Sequence, residues 1–419
     1  GDGSLAVVFK QAFACQCFKL GTGFAVIGLG ARSVEQLDAL LAMEDVKIVA
    51  VCDIYEDRVT STIKHCQEKV GYAPLGLSDY RDALKMEEVE GVFIFTDWCS
   101  HIRIAIDCLS AGKRPAMEVG GASSVDECWR LVRKSQETNI PVMLLENCCY
   151  DTNEYTILHL VRKGFFGEIV HCEGGYQHYL CDEIGNGDVI RHYRQPHFHH
   201  RNAELYPTHE IGPIATYLNF NYGNRPLTLT SMASKARGLK DFYDNERSDS
   251  KWRNLPIQQG DIVTTCIKCA NGETVVIQHD CTVPRPYSRG GIVRGTKAMW
   301  MEDVKGYCEL GSHKFTPDKE LFEKEKPQLL VEYDAFGRRG GHGGMDYLVL
   351  RAFVESVQNN TYPPIDVYDA ALWMSLTVLS EQSIALGSMP MAVPDFTDGE
   401  WIKRKALCKG AFALFQDAE

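Results

Sequence analysis

Over the first 150 residues, short apolar runs alternate with helix-length stretches of mixed character. The runs Phe24–Gly28, Lys47–Asp53, Gly91–Thr96, Arg114–Val119 and Pro141–Asn147 read as strands. Val34–Met43, His101–Ala111 and Val125–Thr138 read as helices. The last carries Trp129, Leu131 and Val132 among charges and follows an N-cap signal in "SSVDE". Strand and helix in strict alternation predict a parallel sheet covered on both faces. After about residue 150 the period changes. A helix over Glu154–Lys163 stops at Gly164, and then strand-like runs alternate from "GEIVHCEGGYQHYL" to "GGIVRGTKAMWM", with a hairpin signal at Ala270–Glu273. Helices over Met345–Gln358 and Val367–Leu386 close the pattern. The expected fold class is α/β: a doubly wound parallel sheet, then an α+β domain with a largely antiparallel open sheet. The expected division is an N-terminal extension (1–22), a nucleotide-binding domain (23–148) and a substrate-binding and catalytic domain (149–419).

Composition narrows the partners. The 419 residues carry 44 Lys+Arg against 56 Asp+Glu, a net −12, which argues against nucleic acid or an anionic membrane because phosphates require a basic face. No apolar run reaches the roughly 18–20 residues of a membrane span. The 16 cysteines are scattered, and several lie inside apolar runs, as Cys52 and Cys108 do; free thiols in a reducing compartment are the simpler reading. Cys266 and Cys269 form a CxxC on a strand, where an odd spacing sends the two side chains to opposite faces, so no zinc site is expected there. The opening "GDGSLAVVFKQAFACQCFKL" shows neither paired arginines nor a complete signal pattern, and it leaves cytoplasmic and exported addresses both open.

The turn after the first strand reads "VIGLGARS", with Gly28, Gly30, Arg32 and Ser33. It matches GxGxxG except for Ser33 at the third glycine. The first glycine permits the tight turn, and the second lets backbone approach a pyrophosphate at the helix start. Asp53 ends the second strand 25 residues after Gly28, where a carboxylate takes both ribose hydroxyls of NAD and repels the 2′-phosphate of NADP. Thr96, Trp98 and His101 follow the third strand and Glu118 the fourth, at the carboxyl edge where ligands of such sheets bind. NAD on a Rossmann-type sheet is therefore expected.

Seven of the thirteen histidines fall between residues 171 and 209. The cluster "QPHFHHRN" matches no closed zinc pattern, so no metal is expected; polar rings lining a cleft for a polyhydroxylated ligand explain the bias better. Tyr206 and His209, in "ELYPTHEIGPIATYL", are three apart and share a face on a helical turn, a plausible acid/base pair beside a nicotinamide.

The set "GLGARS", Asp53, "TDWCSH", "AGKRPAMEV" and "GEIVHCEGGY" resembles the Gfo/Idh/MocA family of NAD(P)-dependent oxidoreductases, from about residue 23 to 395. "ENCCY", "LYPTHEIGPI", "PRPYSRGG", "GGHGGMDY" and "PPIDVYDAALWMSLTVLSEQSI" are most similar to one branch, the NAD-dependent α-N-acetylgalactosaminidases of glycoside hydrolase family 109. The broad family usually has Glu-Lys-Pro after the fourth strand and an Asp four residues before its active-site His. Here those positions read Glu118-Val119-Gly120 and Leu205, which weakens the alternative of a net NAD-dependent sugar dehydrogenase. The glycosidase branch resembles Glu-Val-Pro there. Asp97, Gly120 and Glu210 depart from the usual Pro, Pro and Gly.

The resemblance implies an amino-sugar glycoside as substrate and hydrolysis without net redox change. NAD takes hydride from the sugar C3, the C2 proton becomes acidic, the C1 aglycone is eliminated, water adds, and the hydride returns. Carried over, Tyr176 is the C2 base and His209 handles the C3 hydroxyl proton. Tyr206 and Tyr287 contact the sugar, Glu146 lies near nicotinamide and substrate, and His342 and Asp346 contribute to the pocket. A tyrosine base needs a cation nearby, for which Arg191, Arg201 or the nicotinamide itself are at hand. A homo-oligomer is expected.

Overall fold

A computed structural model of the chain describes residues 21–418. The N-terminal extension therefore lies outside the described residues, except for Gly21 and Thr22, the latter already in the first strand. β1 (Thr22–Ile27), β2 (Val46–Cys52), β3 (Leu75–Leu77), β4 (Gly91–Ile94), β5 (Arg114–Met117) and β6 (Met143–Leu144) form a six-stranded sheet in the order β3-β2-β1-β4-β5-β6. Its pairs are all parallel. Every residue of β1 and β4 is buried, as strands covered on both faces must be. The order reverses between β1 and β4, so the connections after these strands diverge and open a crevice at the carboxyl edge. β3 escapes the hydrophobic pattern because Leu75-Gly76-Leu77 is a short, half-exposed edge. The run Pro141–Asn147 yields only the two residues of β6, because the chain turns at Glu146 into a 3₁₀ turn, Asn147–Tyr150.

The second sheet has nine strands in the order β14-β13-β12-β11-β7-β10-β9-β8-β15. They are β7 (Ile169–Gln177), β8 (Pro226–Ala233), β9 (Ile262–Cys269), β10 (Thr274–Asp280), β11 (Ile292–Gly295), β12 (Ala298–Met301), β13 (Gly306–Glu309), β14 (Thr316–Pro317) and β15 (Met391–Ala392). All its pairs are antiparallel except β7 with β10, in which Tyr176 faces His279. Cys266 is exposed and Cys269 buried on β9, as the odd spacing requires. The cysteines of the described residues are free thiols.

Two late helices join the halves. The helix Met345–Gln358 packs back on the parallel sheet, where the Phe353 ring meets Phe93 edge-on at 5.1 Å and Phe24 at 6.2 Å. Arg351, on the same helix, forms a fork to Asp45 at 2.8 and 2.9 Å. The helix Val367–Ala385 is apolar around most of its girth and largely buried, as a helix covered on all sides must be. A separate apolar cluster brings Trp98 and Val119, from loops of the first sheet, against Tyr176, Leu205 and Tyr206 of the second half.

Candidate active site

The phosphate turn is built as the sequence predicts. Gly28 has φ +90°, and a Cβ there would sit 2.6 Å from the Phe95 carbonyl carbon. Gly30 caps the helix Ala31–Leu41 without a side-chain cap, which leaves its first N–H groups for a ligand. The Ser33 hydroxyl donates to the Gly30 carbonyl at 2.8 Å and braces the turn. Gly28→Ala combines a left-handed strain with that clash, and we expect it to destabilise the protein by about 3 kcal/mol, read by urea unfolding. Unchanged stability would mean that the turn relaxes freely.

Asp53 is held ready at the end of β2. Its carboxylate accepts from Leu29 N at 2.7 Å and Tyr55 N at 2.9 Å, with the Arg58 guanidinium 3.8 Å away. The remaining lone pairs suit ribose hydroxyls. His101 Nε2 bonds the Thr96 carbonyl at 2.9 Å. The Trp98 indole nitrogen and His101 Nδ1 are buried without a hydrogen-bond partner among the described residues. These unsatisfied groups, with the open turn and Asp53, fit a dinucleotide along this edge.

Arg32 reaches further. It makes a fork to Asp346 at 2.7 and 3.0 Å and bonds Glu118 at 3.2 Å. Asp346 also accepts from Asn147 at 2.6 Å and pairs with His342 at 2.8 Å. Burial works against the ionised Asp346, but the His342 bond and the Arg32 charge outweigh it and hold the carboxyl well below its usual range. His342 is raised in return, chiefly by that bond. His342 and Asp346 thus stand beside the glycine turn, carried there by the 3₁₀ turn His342–Gly344 and the helix Met345–Gln358 that follows it.

The candidate chemical centre lies where β7 meets the helix Pro207–Tyr217. Tyr206 precedes that helix and His209 lies in its first turn; their rings are 4.8 Å apart, edge to face. The Tyr176 ring, near the end of β7, is 4.5 Å from Tyr206 and 5.6 Å from His209. Fully buried Glu146 accepts from His209 Nδ1 at 2.8 and 2.9 Å and from Cys148 N at 2.9 Å. A carboxylate can only accept, so Nδ1 carries the hydrogen and Nε2 is left as the acceptor. Tyr287 is half exposed, with its hydroxyl 2.9 Å from the Arg289 guanidinium and its ring 5.0 Å from His178. Arg289 is itself anchored by Glu154 and by Asp151.

One residue of the candidate site escaped the sequence reading. The cation at Tyr176 is Arg194, whose Nη1 lies 3.4 Å from the phenol oxygen. Arg191 and Arg201 are engaged elsewhere, with Asp57 and Glu381. The Arg194 guanidinium is buried in an aromatic cage, 5.0 Å from the Tyr206 ring and 5.6 Å from those of Trp98 and Tyr176. Its Nε has no partner among the described residues. Burial raises the Tyr176 phenol, and Arg194 pulls the other way without overcoming it. Nothing in the spacing of "IRHYRQPHFHHR" separates Arg194 from its two neighbouring arginines; only the fold does. The histidines of this stretch are spent locally: His199 bonds Pro256 O at 2.8 Å, and burial drops His197, 5.0 Å from the Trp98 ring, to about 4. Among the described residues, the His, Cys, Asp and Glu groups close enough to share an ion, Glu146–Cys148–His209 and Glu35–His342–Asp346, include none of them.

The departures from the family pattern acquire physical reasons. Val119 and Leu205 lie in one apolar cluster, so an ammonium and a carboxylate give way together to packing. Gly120 has φ +152°, which proline cannot adopt, and a Cβ there would sit 2.3 Å from the Trp98 ring. Glu210 is fully buried beside a second buried acid, Glu204, across the Tyr206–His209 turn, and neither oxygen of its carboxyl has a hydrogen-bond partner among the described residues. Burial pushes Glu204 up to about 7. Burial and then the charge of Glu204 push Glu210 well above the usual carboxylate range.

The crevice and turn define a nucleotide-binding protein of oxidoreductase architecture. Residues 22–145 match the family described as "Oxidoreductase family, NAD-binding Rossmann fold". Solved structures with this fold include an NAD-binding oxidoreductase from Klebsiella pneumoniae (TM-score 0.67, 15% identity, 90% of this chain and 100% of that one). Another is scyllo-inositol dehydrogenase from Lactobacillus casei with bound NAD(H) and scyllo-inositol (TM-score 0.63, 12% identity, 89% and 99%). Residues 150–403 match "Glycosyl hydrolase 109, C-terminal domain". An alpha-N-acetylgalactosaminidase of Tannerella forsythia is 36% identical over 99% of this chain and 95% of its own length. A glycosyl hydrolase family 109 protein of Parabacteroides distasonis is 37% identical over 91% and 88%. The chain belongs to glycosyl hydrolase family 109, and it is a glycosidase built on an NAD-binding domain.

Proposed function

We propose that the protein hydrolyses terminal α-N-acetylgalactosaminides with an NAD that stays bound and is recycled. One juxtaposition carries this reading: Glu146–His209 and Tyr176–Arg194 meet at the carboxyl edge of the dinucleotide-binding sheet. When bound, NAD would supply a reversible two-electron acceptor for the sugar C3 hydrogen. His209 Nε2 takes the C3 hydroxyl proton, while Glu146 holds Nδ1–H and stabilises the imidazolium that forms. The C2 proton, acidified by the neighbouring ketone, goes to the Tyr176 oxygen, and the Arg194 guanidinium favours the phenolate. Tyr206 and Tyr287 orient the sugar. His342 and Asp346 act from the pocket wall through Arg32. Leaving-group expulsion then needs no second carboxylate at C1, unlike direct displacement.

Purified protein is expected to cleave an aryl α-N-acetylgalactosaminide without added cofactor and without accumulating NADH. In deuterated water the released sugar gains deuterium at C2. Retention of the original C2 hydrogen in every product molecule would overturn this route in favour of direct displacement.

A further inference from the structure

A recycled cofactor must not leave between removal and return of the hydride. Away from Tyr176 and His209, the second half of the chain also contacts the loop and helix that follow β2, beside Asp53. Arg191 follows the helical turn Gly187–Ile190 and has φ +57°, a left-handed conformation that costs a non-glycine residue free energy unless contacts enforce it. Those contacts come from the loop and helix after β2. The Arg191 guanidinium forks onto Asp57 at 2.9 and 2.7 Å and lies over the Tyr55 ring at 4.4 Å. Arg58 covers the same ring at 4.8 Å, donates to the Arg191 carbonyl at 3.3 Å and stands 3.8 Å from Asp53. A Cβ on Gly30 would touch Arg58 at 3.5 Å, so this knot spans from the phosphate turn to the ribose-binding acid.

The other end of the segment reaches the chemical centre. His192 stacks on Tyr193 at 4.7 Å, Tyr193 meets Trp98 edge-on at 5.0 Å, and Arg194 enters the aromatic cage. Residues 187–194 therefore run over the crevice from the ribose acid to Tyr176. Exposed ion pairs contribute little on average. This one is bidentate, and its guanidinium also lies over an aromatic ring, two features that strengthen such pairs.

We infer that Arg191 is a cofactor-retaining residue: paired with Asp57 and stacked on Tyr55, it latches residues 187–194 across the adenosine end of the crevice and keeps the dinucleotide in place through successive turnovers. The inference rests on the recycling of NAD proposed above. Opening the latch changes no covalent bond; it changes how fast the ligand departs.

The test uses full-length protein loaded with labelled NAD and chased with unlabelled NAD. Arg191→Ala is expected to release label about tenfold faster than the parent, an estimate from the loss of one fork and one cation–ring contact. Arg191→Asp releases it faster still, and the charge-reversed pair Asp57→Arg/Arg191→Asp recovers part of the slow release. Melting of each NAD-free variant separates this from misfolding; a variant that melts early is replaced by Arg191→Lys, which keeps the charge and loses the fork, and is expected to release label at an intermediate rate. Equal release from the parent and a folded Arg191→Ala overturns the latch even if the glycosidase is active. Slow NAD release that depends on Arg191, in a protein that cleaves no glycoside, upholds the latch and sinks the hydrolytic reading instead.

Discussion

Tyr176→Phe is expected to lower glycosidase turnover by about 10³-fold, within the range by which a positioned acid or base accelerates proton transfer. Bound NAD should be unaffected, because the ring keeps its contacts with Tyr206 and His209. The pH profile gives the second half of this test. Burial holds the phenol above its ordinary range, so the ionised form grows as pH rises, and turnover should climb on the alkaline side. Arg194 lowers the phenol; Arg194→Met removes that pull, so the climb should move to higher pH as well as lose height. Full activity of Tyr176→Phe, with solvent deuterium still entering C2, would transfer the role of base to another group.

The acid pair beneath the same turn predicts an unusual dependence of stability on pH. Burial lifts Glu204 from an ordinary 4.5 to about 7 in the folded chain, and burial with the charge of Glu204 pushes Glu210 well above the usual carboxylate range. The folded state therefore binds more protons than the unfolded one above pH 4.5, and stability falls as pH rises through 7, opposite to the usual carboxylate. One proton between two buried carboxyls satisfies both; removing it leaves two charges in a buried site beside Cys281 and neutral His279, which burial and then the Arg194 charge drop to about 3. Glu210→Gln keeps a donor toward Glu204 and removes one ionisation. It is expected to stabilise the protein by about 2–3 kcal/mol at pH 8, with little change at pH 5. Urea unfolding at the two pH values measures this. The same slope in parent and variant would show that the pair holds no shared proton.

Why these two acids matter could not be read from the chain. Glu210 stood out only as a departure beside His209, and Glu204 not at all, because a buried partner six residues away becomes visible only when the Tyr206–Pro207 turn brings the side chains together. Arg194 was hidden for a similar reason. Three arginines lie between residues 191 and 201, and the one that meets Tyr176 is selected by how the short helix Arg194–His200 sits over Trp98. His209 and its tyrosine neighbours, in contrast, lie in motifs whose local spacing survives folding.

Local chemistry settled what depends on near neighbours in sequence. Strand period, the glycine turn, the acid ending the second strand and the change to alternating runs after residue 150 together specified a dinucleotide-binding sheet followed by an open antiparallel one, since each is set by side-chain direction and backbone sterics over a few residues. Tertiary structure alone decided what meets across distance. It brought Asp346 onto Arg32, Glu146 onto His209, Val119 beside Leu205, and Arg191 over Tyr55. These contacts depend on how two sheets and a returning helix pack, and packing is a property of summed shape and burial that no short stretch of sequence contains.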